Sequence, residues 1–266
     1  MNAAGEEERL PHSVSGLFGF ALRSWAAYAP LFIALAVGVF GVWSLVEYLV
    51  PAAAPETAQG QFKAYTMIFA STFADAFVIA AVALGIAARI GRTDLTPRAL
   101  LGAAVERWLP VIAVSILVLS VQMLTDDFSG LGPTTVPRAV IYVTAPLVWI
   151  MWAAIGLAPP LVALDRNRTS LAVLLGFMRA FTLALRPENL IRLCILAVVT
   201  IAPNILAALL QDSLAGGHLT LYVFFWSNAP VDALTVGPVA AIQTAFALDF
   251  ARRAGVSAGR TPGRGA

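Results

Sequence analysis

Asp75 is the residue whose placement most demands a chemical explanation. It lies in the apolar run 65–90, flanked by Phe73, Ala74, Ala76 and Phe77. A carboxylate at the centre of a membrane-crossing segment costs about 2.5–3.5 kcal/mol on insertion scales, so it must face other protein or water. In such a place it can hold a proton or a cation, or touch a substrate. It can equally serve as a hydrogen-bonded tie between helices, with Ser71, Thr72 or a neighbouring segment as partner. Gln122, Tyr142, Thr144, Asn204, Asn228 and Asp232 fall in the middle or outer half of other apolar segments. With Asp75 they could line an outward-facing polar cavity, and Asp75, Asp232, Asn204, Gln122 and Asn228 form the candidate site. Asp232 has a competing role as a cap in the first turn of a helix starting near Ser227 or Asn228. Glu47, near the outer end of the first apolar segment, reads as a solvated charge. Trp149 and Trp152 sit mid-segment, as packing or as the wall of a ligand site.

Other chemistry is poorly supplied. The two histidines, His12 and His218, both fall outside the apolar segments, so no histidine-rich metal site can form. Cys194 stands alone in an apolar run, which excludes an intramolecular disulfide and reads as a small buried hydrophobe. H-E-x-x-H, G-x-S-x-G and P-loop patterns are absent from the sequence. The expectation is a chain without a catalytic constellation, metal or cofactor.

The elements that must position these residues are membrane helices. Of the 266 residues, 59% are hydrophobic and 12% charged, against about 25% charged in a soluble domain. The mean hydropathy of +0.83 agrees. Apolar runs at 27–50, 65–90, 109–124, 139–164, 190–210 and 229–250 predict about six transmembrane helices in an all-α membrane protein. Pro146, Pro159 and Pro160 predict kinks in the fourth. Three stretches with helical apolar spacing and arginine on the opposite side, 13–25, 97–108 and 169–185, predict interfacial amphipathic helices. Thr96-Pro97 opens the second as an N-cap followed by proline. The acidic start, Glu6-Glu7-Glu8-Arg9, and the length of the first apolar run do not fit a signal peptide. The expected organisation is a disordered cytoplasmic stretch at 1–12, one six-helix domain at 13–251 and a disordered cytoplasmic tail at 252–266.

Basic residues orient this bundle. With the N-terminus inside, all of them except Lys63 and Arg138 fall on the cytoplasmic side, as the positive-inside rule asks. An odd number of spans would strand Arg252, Arg253, Arg260 and Arg264 outside. Arg23, Arg98, Arg107, Arg179 and Arg186 are the expected contacts to anionic lipid headgroups. Spread along one membrane face, they suit lipid and not nucleic acid. A homo-oligomer or a membrane-protein partner is compatible with the pattern.

The three amphipathic stretches resemble one another. Leu17-Phe18-Gly19 runs on to Arg23 and Trp25, Leu100-Leu101-Gly102 to Arg107 and Trp108, and Leu174-Leu175-Gly176 to Arg179 and Phe181. The unit would be an interfacial helix, a span out and a span back, used three times. Such repeats often place a site at their interface, and duplication for packing alone explains them equally well.

The stretch Ala158-Pro159-Pro160-Leu161-Val162-Ala163-Leu164-Asp165, the turn Arg166-Asn167-Arg168 and the helix from Thr169 to Leu185 leading into Leu190 carry a family resemblance. They resemble bacterial multi-pass proteins that include the YciC-like group and the membrane domain fused to some glycerophosphodiester phosphodiesterases. The resemblance implies the architecture and no catalytic residues. It fits a bacterial inner-membrane protein that is an accessory or organising component of the envelope. The alternative is a transporter or channel for a small polar or amphiphilic solute, with Asp75 lining the pathway.

Overall fold

The computed structural model describes residues 10–34, 38, 58–91, 95–130, 135–165, 170–215 and 221–255. Within these, 58–71, 170–172, 203–215 and 221–234 are described by backbone alone. The first predicted span, 27–50, lies mostly outside the described residues.

Among the described residues the chain is helical, with no strand. In order, the helices are α1 (Val14–Ala27), α2 (Ala58–Ile90), α3 (Pro97–Thr125), α4 (Arg138–Ile155), α5 (Ala158–Leu164), α6 (Ser170–Ala184), α7 (Leu190–Ala215) and α8 (Leu221–Arg253). Short 3₁₀ turns at Asp126–Phe128 and Pro187–Asn189 follow α3 and precede α7. Local chemistry sets several starts. The Ser13 hydroxyl accepts from the Gly16 amide at 3.1 Å, and Thr96 accepts from Ala99 at 3.3 Å.

Among the described residues, three segments are long and apolar enough to cross a membrane: Thr72–Ile90, Pro97–Phe128 and Arg138–Leu164, each with mean hydropathy 2.0. Their outer faces agree with that reading. Leu109 and Leu124 on α3, Tyr142 and Val143 on α4, and Ile191 and Val198 on α7 are each at least 66% exposed. A large exposed apolar surface needs a non-aqueous neighbour.

The core is assembled on α2, which packs against α1, α3, α5 and α8. Ala80, Ala81 and Ala83 of α2 are fully buried. A Cβ added at Gly85 would stand 3.3 Å from the Phe32 ring. Small side chains let helices approach where the hydrophobic effect between them is weak.

In the fourth segment α4 continues through Pro146, and a break into α4 and α5 at Gly156 and Leu157 precedes the pair Pro159-Pro160. Pro159 and Pro160 cannot donate to the carbonyls of Ile155 and Gly156, the two bonds that would continue the helix across the gap.

Two expectations about helix ends need correction. The stretch 97–108 is not a separate interfacial helix, because α3 continues through Pro110 to Thr125. The surrounding Trp108-Leu109-Pro110-Val111 is apolar, and a break there would set backbone groups free beside hydrocarbon. Where the corresponding junction is polar, at Leu185-Arg186-Pro187-Glu188, the helix does break, with Arg186 extended at ψ 138° ahead of the proline. Nor does a helix start at Ser227 or Asn228: α8 is continuous from Leu221, so Asp232 is not in a first turn and cannot act as that cap. Part of the apolar face of α1 packs on protein, while Leu22 stays 44% exposed. Leu17, Phe20 and Ala21 are fully buried, and α1 packs against α8 and α2.

Candidate functional site

Helical periodicity gathers polar side chains at one place. Thr72, Asp75 and Ile79 recur at i, i+3 and i+7 and so share one face of α2. Ser115, Val118, Leu119 and Gln122 share one face of α3 in the same way. Val239 and Gln243 do so on α8. These three stripes line a single cavity of ≈ 210 Å³, closed by Trp152 of α4, Gly156 and Pro159 at the α4–α5 break, and Thr200 and Ile201 of α7. The volume is enough for several waters or one small solute.

Its depth follows from helix rise. Asp75 is about 22 Å along α2 from Ile90, Thr200 about 15 Å along α7 from Leu190, and Gln243 about 15 Å along α8 from Arg253. Against a hydrocarbon core about 30 Å thick, the distances for Thr200 and Gln243 are about half of that thickness and the distance for Asp75 about three-quarters.

Several lining groups have hydrogen-bonding capacity to spare. Ser115 is only 7% exposed and its hydroxyl has no partner among the described residues. Thr200 donates to the carbonyls of Leu196 and Ala197 at 3.0 and 3.1 Å, which leaves its oxygen free to accept. Trp152 donates its indole N–H to the Thr125 hydroxyl at 2.9 Å. That bond fixes the ring and spends its polar edge outside the cavity. Gly156 makes room for Gln243: a Cβ there would stand 3.0 Å from the Gln243 Nε2.

The candidates from the sequence divide clearly. Asp75 and Gln122 are brought together in the cavity. Asn204, Asn228 and Asp232 lie on α7 and α8, but their side chains fall outside the described ones. Tyr142 is 79% exposed on the outer face of α4. Thr144 donates to the carbonyls of Phe128 and Val140 and lines nothing. The two tryptophans separate: Trp152 walls the cavity, while Trp149 donates to the Ser129 carbonyl at 2.9 Å as a packing residue. Cys194 is exposed on α7, not buried as expected, because it falls on the same outward side as Ile191 and Val198.

The arginines expected at headgroups also divide. Arg23, Arg98 and Arg186 are exposed, Arg186 standing 3.7 Å from Glu188. Arg107 is half-buried and donates to the Asp165 carbonyl at the end of α5. Arg179 is half-buried as well, with one terminal nitrogen enclosed and unpartnered.

Comparison with protein-family models, with curated proteins and with solved structures finds no match for this chain.

Two groups escaped the sequence reading. Gln243 and Ser115 give only a faint signal, a polar residue on the inward side of an apolar helix. Asp249 gives a better one, because Asp249, Arg252 and Arg253 are spaced i, i+3, i+4 at a helix end. Asp249 is fully buried. Its Oδ2 accepts from Arg192 at 2.7 Å and from Arg253 at 2.9 Å, and its Oδ1 from Arg252. The same arginines reach the N-terminal segment: Arg252 donates to the carbonyls of Leu10 and Pro11, and Arg192 and Arg253 to that of His12. This cluster joins the start of α7, the end of α8 and the segment leading into α1.

Proposed function

We propose that this chain is a multi-pass membrane protein that takes a small polar solute into the intramembrane cavity beside Asp75, in the manner of a transporter or channel. The observation that carries the reading is the convergence of Asp75, Ser115, Gln122 and Gln243 from three helices on one space. Polar side chains can also tie membrane helices together, but the Ser115 hydroxyl, without a partner among the described residues, and the Thr200 oxygen, free to accept, are what a water-soluble ligand would use. The full bundle would have about six spans in three similar units, with both termini and the arginine-rich ends cytoplasmic in a bacterial inner membrane. The YciC-like resemblance is kept as a proposal about architecture.

Cysteine accessibility tests it. In a Cys194→Ser background, Ser115→Cys and Gln122→Cys should react with a small water-soluble methanethiosulfonate reagent in membranes. Val198→Cys, 66% exposed but facing lipid in this reading, should not. Unreactive cavity cysteines would refute a water-filled site.

A second reading is an accessory or organising role at the envelope, without a solute. It is favoured by the exposed Arg23, Arg98 and Arg186, which are free to meet anionic headgroups or a partner protein. Asp75→Asn separates the two. It should leave an organising role intact and abolish solute handling, as read by whether the variant restores a deletion strain.

A further inference from the structure

We infer that the solute is a small uncharged polyol, its hydroxyls held by Gln122, Gln243 and Ser115 and its carbon side laid against Trp152. This rests on the cavity being a solute site and adds the charge and chemical class of what enters it. The groups still open to a ligand decide the charge. Neither the Gln122 nor the Gln243 carboxamide makes a hydrogen bond among the described residues, and both line the cavity. The Ser115 hydroxyl is likewise without a described partner, and the Thr200 oxygen can still accept. All four groups are neutral, and together they present both donors and acceptors. Asp75 already has an interaction within the protein, and recognition by the neutral groups does not draw on its charge.

A ligand that displaces water from this lining must replace the hydrogen bonds that water made there. A cation, metal or ammonium, offers no acceptor to the carboxamide N–H groups. An anion offers acceptors alone, and no Arg, Lys or His among the described lining residues balances its charge. A hydroxyl donates once and accepts twice, so it matches either end of a carboxamide as well as the Ser115 hydroxyl. The rest of the wall chooses among neutral molecules. Trp152 gives its N–H to Thr125, so the cavity meets the carbon part of the ring, and Ile79, Leu119 and Val239 add aliphatic surface. A flat diamide such as urea is polar around its whole rim and has no C–H edge to lay there. A polyol carries hydroxyls on a C–H backbone, which matches a lining of open polar groups beside an aromatic and aliphatic wall.

The test uses the full-length Cys194→Ser protein in proteoliposomes, with Leu119→Cys on α3 and, separately, Ile79→Cys on α2 as reporters that leave the polar groups intact. Modification by methyl methanethiosulfonate is timed with erythritol, urea, tetramethylammonium chloride or tert-butanol at equal concentration, each rate divided by that of free cysteine in the same solution. Erythritol should slow the reaction at both reporters, and the other three should protect less. Gln122→Met and Gln243→Met keep the side-chain length without its hydrogen bonds. Each should raise the erythritol concentration needed for half-protection about fivefold or more, the scale of one lost hydrogen bond. Urea, tetramethylammonium or tert-butanol protecting as well as erythritol would overturn the polyol assignment and leave a solute cavity standing. So would an absence of erythritol protection, or protection unchanged in either glutamine variant. No reaction of either reporter would remove the cavity reading and this inference together.

Discussion

Replacing Asp249 by Ala leaves three guanidinium groups around an empty carboxylate position. The dominant contact is with Arg192, whose side chain is 12% exposed against 0% for Asp249. Removing one partner of a fully buried ion pair costs about 3–5 kcal/mol. The residual exposure of Arg192 places this one near the lower end. Arg252 and Arg253 are 32% and 28% exposed and lie one turn away on the same helix, so each of those pairs adds only about 0.3–0.5 kcal/mol. The expected loss is on the order of 3–4 kcal/mol, more than a hundredfold in the folded-to-unfolded ratio.

Titration with sodium dodecyl sulfate from a mild detergent, followed by tryptophan fluorescence, measures it. Arg192→Leu should cost less, about 2 kcal/mol, because Asp249 keeps two partners while the bond to the His12 carbonyl is lost. Arg253→Ala should cost less again. If Asp249→Ala unfolds within about 0.5 kcal/mol of the native chain, below the usual worth of a hydrogen bond to a charged group, the cluster is not holding the three elements together. An Asp249→Ala loss no larger than that of Arg253→Ala would refute the dominance of the pair with Arg192.

Two further outcomes follow from close contacts. A Cβ at Gly176 would stand 2.4 Å from Val162 Cγ2, so Gly176→Ala should destabilise the packing of α6 on α5 by about 1–3 kcal/mol, and Val162→Ala in the same chain should recover most of it in the detergent titration. Trp152→Phe removes the bond to Thr125 and should cost about 1 kcal/mol.

How much of this was legible in the sequence depended on whether a signal was local. Apolar run length placed α2, α3 and the α4–α5 pair, and the proline pair marked the break between them. Asp75 stood out because a carboxylate in an oily run is costly whatever its neighbours. Its companions did not. Ser115 and Gln243 are ordinary residues until α3 and α8 are docked beside α2, and which faces meet is decided by packing across more than a hundred residues of chain. The helix ends failed for a related reason. The sequence suggests a boundary near 108–109 and a helix start at Ser227 or Asn228, yet Pro110 and Pro230 both lie within continuous helices, because in an apolar setting a broken backbone costs more than a proline's missing bond. The Asp249 cluster was half visible as a local i, i+3, i+4 pattern. Its third arginine and the carbonyls of Leu10 to His12 are distant in sequence.

The helix break and the cavity belong to one design. At membrane depth, interrupted helical backbone is tolerated only where protein buries it or where it lines a polar space. The break at Gly156 and Leu157 lies in a run, Ala153 to Ala163, buried at every position. At its centre Gly156 lines the cavity with Gln243 against it. Pro159 and Pro160 withhold two amide donors at that point, and a polar cavity is where carbonyls deprived of helical partners can find others. A glycine that admits the glutamine, two prolines that open the ladder and an aspartate on the facing helix therefore serve the same few ångströms. The proposed solute site would use all of them together.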